Sequence, residues 1–226
     1  MSRHADALRR SEMFADVGVA ALSGGPRLEK VLATLKGSTI AVVPVFMCHG
    51  HLTKAAVPHA VAGNGKTTGR SVRLYPPLGL YPGLTELIVQ RAEGCAVKAG
   101  IAPNETSLVF VAHGSPKDSA SHWATELHAM RARTSSTFRR VWTAYLDEAP
   151  HLAEVLAGLL GPAIVCGLFV ENGAHAMQDV PDAIRRCRRH EVHYLGAIGG
   201  DPAVTALILR LIGPPTFHQA VRVGAP

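Results

Sequence analysis

Two stretches of this chain decide its fold, because one repeats the other: VGVAALSGGPRLEKVLATLKGSTIAVVPVFMCHG (17–50) and VWTAYLDEAPHLAEVLAGLLGPAIVCGLFVENG (141–173). When the two stretches are aligned with a single gap, apolar residues, a proline and a glycine stand at the same positions in both copies. The match continues beyond them, since LGLYPGLTELI (78–88) resembles AIGGDPAVTALI (197–208). Self-similarity over this length indicates an internal duplication of a unit of about 120 residues.

Each copy alternates short apolar runs with stretches of helical period. The runs are rich in Val, Ile and aromatic residues, and they predict strands at 17–22, 39–47, 72–78, 107–114, 141–146, 163–170 and 192–198. Helical spacing of apolar residues predicts helices at 26–37, 84–100, 119–134, 150–161 and 179–189, two of which open at Pro26 and Pro150. Such alternation with nearly continuous apolar strands is typical of parallel sheets covered by helices on both faces.

The sequence therefore predicts an α/β fold of two flavodoxin-like, parallel-sheet lobes that face one another across a cleft. We divide the chain into an N-terminal lobe, 1–104, and a C-terminal lobe, 105–226. The second copy begins with the strand at 107–114, whereas only a helical segment, 4–17, precedes the first strand of the first copy. The N-terminal lobe is thus predicted to be degenerate and to lack its first strand, which leaves a sheet edge to be covered. GNGK (63–66) is interpreted as a polar turn.

Composition excludes several classes of function. The chain has 226 residues, and its longest apolar stretch, 40–48, is too short to span a membrane, which needs about 20 residues. The N-terminus lacks the apolar run of a secretory signal, so we expect a cytoplasmic protein with no membrane attachment. The four cysteines lie far apart and predict neither a metal site nor disulfides. A net charge of +6 favours an acidic partner, but with 5% aromatic residues we expect no nucleic-acid binding.

Titratable groups follow three predicted strands of the second copy. The three loops are His113-Gly114-Ser115, Asp147-Glu148-Ala149-Pro150 and Glu171-Asn172-Gly173-Ala174-His175. In open α/β sheets, ligands bind at the loops that leave the carboxyl ends of the strands. Two histidines and at least one carboxylate are therefore predicted to converge on one edge of one sheet.

Other chemistries lack their defining residues. Ala112 precedes His113, so the arginine that neutralises phosphate in the Arg-His-Gly motif of histidine phosphatases is missing. The chain has no G-x-S-x-G nucleophile elbow of a serine hydrolase. It also has no glycine-rich phosphate-binding loop of the mononucleotide or dinucleotide type, so we expect no organic cofactor.

The loops resemble those of a known family. FVAHGS (110–115) and GAHAMQDVP (173–181) are similar to the class II tetrapyrrole chelatases, which include the sirohydrochlorin cobaltochelatases and ferrochelatases. The resemblance implies a bilobal fold with an anionic tetrapyrrole in the cleft and a divalent metal ion as substrate. It implies that His113 and His175 are the metal-binding and catalytic histidines. It also implies an acidic catalytic residue, either Asp147 or Glu148, and the spacing from Pro150 leaves both open.

The first copy departs from this pattern. It has no His-Gly-Ser sequence, and Ser23-Gly24-Gly25 stands where the second copy has Asp147-Glu148-Ala149. His49 and His51 lie in its third loop, but His51 is one residue out of register with His175. The resemblance therefore places the site in the C-terminal lobe. The alternative hypothesis is a tetrapyrrole- or metal-binding protein without catalytic activity.

The chemistry of metal insertion fits these groups. Imidazole suits Co²⁺, Fe²⁺ and Ni²⁺, and two imidazoles with one carboxylate leave coordination positions open for handing the ion on. Histidine can also accept the pyrrole protons near neutral pH. Sirohydrochlorin is a polycarboxylate, so the resemblance is consistent with the net charge of +6 on the chain. The candidates for contacting its carboxylates are Lys54, Arg70, Arg73, Arg185 and Arg186.

Overall fold

The computed structural model describes residues 2–22, 24–213 and 219–225. Within these residues the strands are β1 (Val17–Ala21), β2 (Thr39–Pro44), β3 (Ser71–Leu74), β4 (Ser107–Ala112), β5 (Arg140–Tyr145), β6 (Ala163–Gly167), β7 (Val192–Ala197) and β8 (Gln219–Ala225). The α-helices are α1 (Ser2–Arg10), α2 (Leu28–Thr34), α3 (Val57–Thr68), α4 (Pro82–Ala99), α5 (Ala120–Ser135), α6 (Leu152–Gly158), α7 (Val180–Arg186) and α8 (Val204–Ile212). Short π-helical turns, Leu52–Ala56 and His175–Asp179, lead into α3 and α7. The seven predicted strands and the five predicted helices are confirmed in the sequence regions where they were expected.

The chain forms two compact units. The first unit comprises Met1–Tyr81 and Pro202–Pro226, and the second comprises Pro82–Asp201. In the second unit all four strands are parallel and lie in the order β5-β4-β6-β7. This is the flavodoxin-like order, in which the first strand of the unit lies between the second and the third. Leu152, Leu156 and Val180 pack onto one face of this sheet and form its core with Val109 and Val165.

The sheet of the first unit has the same order but obtains one strand from elsewhere in the chain. Its strands are parallel and lie in the order β1-β8-β2-β3, so β8 takes the place that β4 has in the second unit. No strand precedes β1 within the described residues, as predicted. The edge left by the missing strand was expected to be covered, and β8 covers it, because its seven residues pair with β1 on one side and with β2 on the other.

The compact units and the sequence repeat divide the chain differently. The repeat separates at 104/105, whereas the units separate at 81/82 and again at 201/202. The reason is that the last helix of each copy packs in the other unit. Helix α4 lies on β6 and α5, and the Thr85 hydroxyl bonds His128 Nδ1 at 2.7 Å. Helix α8 contacts α1, where Thr205 bonds His4 at 3.0 Å, and the Tyr75 hydroxyl donates to the carbonyl of Ile212.

Some local predictions are wrong. The segment 63–66 is not a turn but part of α3, which ends at Gly69, where a φ of +62° terminates the helix. Pro26 and Pro150 lie two residues before α2 and α6 instead of opening them. Their carbonyls accept hydrogen bonds from the amides of Ala21 and Tyr145, at 3.0 Å in both units. No helix in the described part of the chain is long and apolar enough to cross a membrane.

Candidate functional site

The loop after β4 holds His113 at the carboxyl edge of the second sheet. Gly114 has a φ of +77°, and a Cβ built on it would lie 2.7 Å from Glu148 Cγ and 2.9 Å from Tyr145 Cβ. Only glycine fits a backbone that is both left-handed and this close to its neighbours. The amides of Leu146 and Asp147 donate to the carbonyl of His113, at 3.1 and 2.9 Å. The first and second loops are therefore fixed to one another by backbone hydrogen bonds.

The two acids of the second loop have different partners. Asp147 Oδ2 lies 3.4 Å from His113 Nδ1, and the Asp147 side chain is 56% exposed. Glu148 Oε1 lies 3.3 Å from His122 Nδ1, and the Glu148 side chain is only 16% exposed. The spacing left these two acids as equal candidates, and the structure brings only Asp147 to the histidine of the first loop.

The third loop carries His175 at the start of the π-helical turn His175–Asp179. Its ring stands edge-on to the ring of His113, with 4.4 Å between the centroids and a 90° angle between the planes. His175 Nδ1 bonds Asp179 Oδ2 at 2.7 Å. Phe169 stacks on the His175 ring with 6.4 Å between the centroids. The structure therefore brings both candidate histidines together at the predicted edge of the sheet.

In the imidazole rings of both His113 and His175, the hydrogen bond is made by Nδ1, so the same atom, Nε2, is left available to bind a ligand. His113 Nδ1 lies 2.8 Å from the carbonyl oxygen of Gly114, which can only accept, so we assign the proton to Nδ1. His175 Nδ1 faces a carboxylate and receives the same assignment. In both rings the Nε2 lone pair is then free. The side chains are 44% and 49% exposed, so a ligand can reach them.

His122 and Asp179 belong to the site and were not found from the sequence. Asp179 lies four residues after His175, a spacing that places two side chains on one face of a helical turn. This spacing could have identified Asp179 within GAHAMQDVP. His122 lies on α5 and stacks on Tyr145 with 5.0 Å between the ring centroids, and no local pattern links it to Glu148. Burial raises the pKa of Tyr145 to about 12, so this phenol keeps its proton and serves as a packing surface.

Other predicted groups have structural partners. Asn172 of the third loop accepts a hydrogen bond from the amide of Ala197 at 3.3 Å. Arg70 donates to the carbonyls of Leu35 and Leu32, at 2.6 and 3.2 Å, and so caps the end of α2. Arg185 bonds Asp182, and Arg73 lies over the ring of Tyr75 at 4.9 Å. Lys54 lines a cavity of about 330 Å³ in the first unit, together with His49.

The cysteines do not take part in the site. The four cysteines all lie in the described part of the chain and none is in a disulfide, and Cys166 is fully buried in β6. Burial raises the pKa of Cys166 to about 12, so it stays a neutral thiol at physiological pH. Cys48, Cys95 and Cys187 are partly exposed.

The corresponding loop of the first unit has the same backbone with other side chains. The amide of Lys54 donates to Gly50 as that of Met177 donates to Gly173, so these loops align residue for residue. Leu52 then occupies the position of His175, and His51 is one residue out of register, as predicted. In the loop after β1, Gly24 and Gly25 supply no acid, and Ser23 lies outside the described residues.

The imidazole pair is not a complete metal cage. No group of three or more His, Cys, Asp or Glu side chains within the described ranges is arranged to hold a metal ion. Two imidazoles with one nearby carboxylate form a partial ligand set, which suits transient binding better than permanent storage of a metal.

The comparisons with known proteins establish the family of the chain. The chain belongs to the CbiX family, whose model matches residues 1–95 and 107–213. It is 25% identical, over 257 aligned positions, to a probable sirohydrochlorin cobaltochelatase of Halobacterium salinarum; the alignment covers 99% of this chain and 85% of that protein.

Solved structures resemble the fold over most of the chain. SirB from Bacillus subtilis with Fe³⁺ has a TM-score of 0.78 at 15% identity, covering 93% of this chain and 86% of that one. A CbiX, described as the terminal enzyme for siroheme biosynthesis in denitrifying bacteria, has a TM-score of 0.67 at 24% identity, covering 82% of this chain and 78% of that one. These likenesses establish the chelatase-like fold.

Proposed function

We propose that this protein is a metal chelatase that inserts Co²⁺ or Fe²⁺ into sirohydrochlorin. The observation that carries the proposal is the pair of imidazoles, His113 and His175, whose ring centroids lie 4.4 Å apart at the carboxyl edge of the sheet. Membership of the CbiX family and the likeness to a probable sirohydrochlorin cobaltochelatase support the substrate and the reaction.

Metal capture is the first task of the pair. The Nε2 lone pairs of His113 and His175 are free, because Nδ1 of each ring is bonded to an oxygen. Imidazole binds Co²⁺ and Fe²⁺ well, and a site with only two or three protein ligands retains open coordination positions. Those positions accept the pyrrole nitrogens, so the ion can pass to the tetrapyrrole without being released into water.

Proton removal is the second task. Insertion of a divalent ion replaces two pyrrole protons, so two protons leave for each metal bound. Asp147 lies 3.4 Å from His113 and is exposed, and it is therefore the candidate for accepting one proton beside the metal. The second proton can go to an Nε2 of the histidine pair once the ion has left it for the tetrapyrrole. Glu148 is largely buried against His122 and Gly114, and we assign it to holding the first two loops together.

Substrate capture draws on the charge of the protein. Sirohydrochlorin is a polycarboxylate and the chain carries a net charge of +6, so long-range attraction favours their encounter. Arg185 and Arg186, at the end of α7, remain candidates for contacts with the carboxylates. A cytoplasmic location and the absence of an organic cofactor also remain predictions.

Turnover separates an enzyme from a binding protein. Sirohydrochlorin in large excess is mixed anaerobically with the protein and either Co²⁺ or Fe²⁺, and loss of the free tetrapyrrole absorbance is followed against a protein-free control. We expect consumption to continue far beyond one equivalent of protein. If consumption stops at one equivalent with both metals, the protein is a non-catalytic binder and the proposed function is wrong.

A further inference from the structure

The carboxylate of Asp179 is directed at the proposed metal ligand His175. His175 begins the π-helical turn and Asp179 ends it, and the distance from Nδ1 to Oδ2 is 2.7 Å. This is the shortest distance between the side chain of either candidate histidine and its partners, compared with 2.8 and 3.4 Å for His113. A carboxylate acceptor makes such a bond stronger than a neutral acceptor does.

Asp179 has no other evident task in its surroundings. It precedes α7 at the position where an aspartate commonly caps a helix, but in the described structure its side chain makes no capping hydrogen bond. The turn is closed by backbone bonds instead, from Met177 to Gly173 and from Val180 to His175. The side chain is 50% exposed. Its contribution to the stability of the turn is therefore small.

The first unit supplies a natural comparison. Its π-helical turn, Leu52–Ala56, leads into a helix that also begins with Val-Pro. Leu52 stands at the position of His175, and Ala56 stands at the position of Asp179. The turn thus forms without the aspartate, and both members of the pair are absent together. We conclude that the backbone does not need this carboxylate, whereas the imidazole uses it.

We propose that Asp179 is a positioning residue for His175, an inference that rests on the function proposed above. By accepting the Nδ1–H bond, Asp179 keeps the proton on Nδ1 and the lone pair on Nε2. It also holds the ring at the 90° angle to His113. A carboxylate bonded to a metal-binding histidine in this way raises its basicity as a ligand, and loss of such a partner typically weakens metal binding or activity by about 10- to 100-fold.

The test uses the full-length protein with Co²⁺ alone. We expect Asp179→Ala to weaken Co²⁺ binding, and to lower kcat/KM for metal insertion, by about 10-fold or more. We expect Asp179→Glu to restore a part of both. Asp6→Asn is the matched control, because Asp6 is similarly exposed and pairs with Arg9 three residues away on α1. The control should bind Co²⁺ as the wild type does.

A spectroscopic measurement separates positioning from a general structural effect. The ¹⁵N signals of the His175 ring report its tautomer, and the wild type should show the Nδ1–H form. Asp179→Ala should convert this to a mixture at an unchanged melting temperature. If Asp179→Ala does not fold, Asp179→Asn provides the same two readouts in a nearly isosteric side chain.

The inference and the proposed function can fail separately. Unchanged Co²⁺ affinity and an unchanged His175 tautomer in the Asp179 variants, with affinity lost in His175→Ala, would overturn the positioning role. If the wild type binds Co²⁺ through His175 but never turns over sirohydrochlorin, the proposed function fails, while the binding and tautomer measurements still decide the role of Asp179.

Discussion

The two units share one strand order and differ in what the loops at the sheet edge carry. In the second unit, the third loop carries His175 and Asp179, facing His113 from the first loop. In the first unit, Leu52 and Ala56 occupy the corresponding positions of the third loop. The strand that would carry a counterpart of His113 comes instead from the far end of the chain, as β8. The fold is therefore retained by backbone pairing, while the proposed chemistry depends on a few side chains in three loops.

This difference teaches that the strand order can be kept in both units while the candidate site residues are present in only one of them. Both sheets have the same strand order, although the strand in the second position, β4 in one sheet and β8 in the other, comes from a different part of the chain in each unit. This is possible because a central parallel strand needs only hydrogen-bonding neighbours on both sides. The loops after the strands tolerate replacement, since they lie at the surface and contribute little to the core.

Removal of the terminal strand should produce the largest effect. A chain truncated after Gly213 loses β8, which pairs with both β1 and β2. We expect the first unit to lose its cooperative melting transition, because the pairing groups of two neighbouring strands are then left exposed. Hydrogen exchange resolved along the sequence measures this. If the amides of β1 and β2 keep their protection in the truncated chain, β8 is dispensable.

The histidines should differ sharply between the units. His113→Ala and His175→Ala should each nearly abolish metal insertion, because each removes one of the two proposed metal ligands. His49→Ala and His51→Ala should lower activity by a few-fold at most, since no counterpart of His113 faces either of them among the described residues. Insertion assays and Co²⁺ titrations on the four variants measure this, with thermal melts as the control for folding. A His49 or His51 variant as inactive as His113→Ala would show that the one-sided site is wrong.

The two acids of the second loop should affect different properties of the protein. The double change Asp147→Asn with Glu148→Gln should lower turnover by about tenfold or more, as expected for loss of a general base. Of the single variants, Asp147→Asn should account for most of the loss in kcat. Glu148→Gln should act mainly on the melting temperature, because Glu148 packs under Gly114 and bonds His122. Full turnover in the double variant would remove both carboxylates from the mechanism.

Salt should have the smallest effect. Screening shortens the Debye length from about 10 Å at 0.1 M to about 3 Å at 1 M. The Michaelis constant for the tetrapyrrole should therefore rise over this range, while the turnover number at saturation changes less. Arg70→Gln is not expected to alter this dependence, since Arg70 is engaged with the end of α2. A flat Michaelis constant would show that the basic residues do not attract the substrate.

Local pattern was sufficient to predict most of the fold. Strands such as SLVFVA are continuous apolar runs, and helices such as LTELIVQRAEGCAVKAG repeat apolar residues at helical spacing, so each is recognisable without knowledge of its neighbours. The convergence of His113, His175 and an acid was also predictable. The carboxyl ends of adjacent parallel strands lie along one edge, and the loops that follow them are therefore brought together.

The features that only the tertiary structure decided are those that depend on contacts between residues distant in sequence. The place of β8 between β1 and β2 follows from sheet pairing across about 200 residues, and the exchange of α4 and α8 follows from packing, so no short window of sequence encodes either. Asp147 faces His113 while Glu148 lies against Gly114, an arrangement set by the packing of two loops that are more than 30 residues apart in sequence. The sequence by itself thus determined the elements and the edge of the site, and long-range packing decided which side chains meet there.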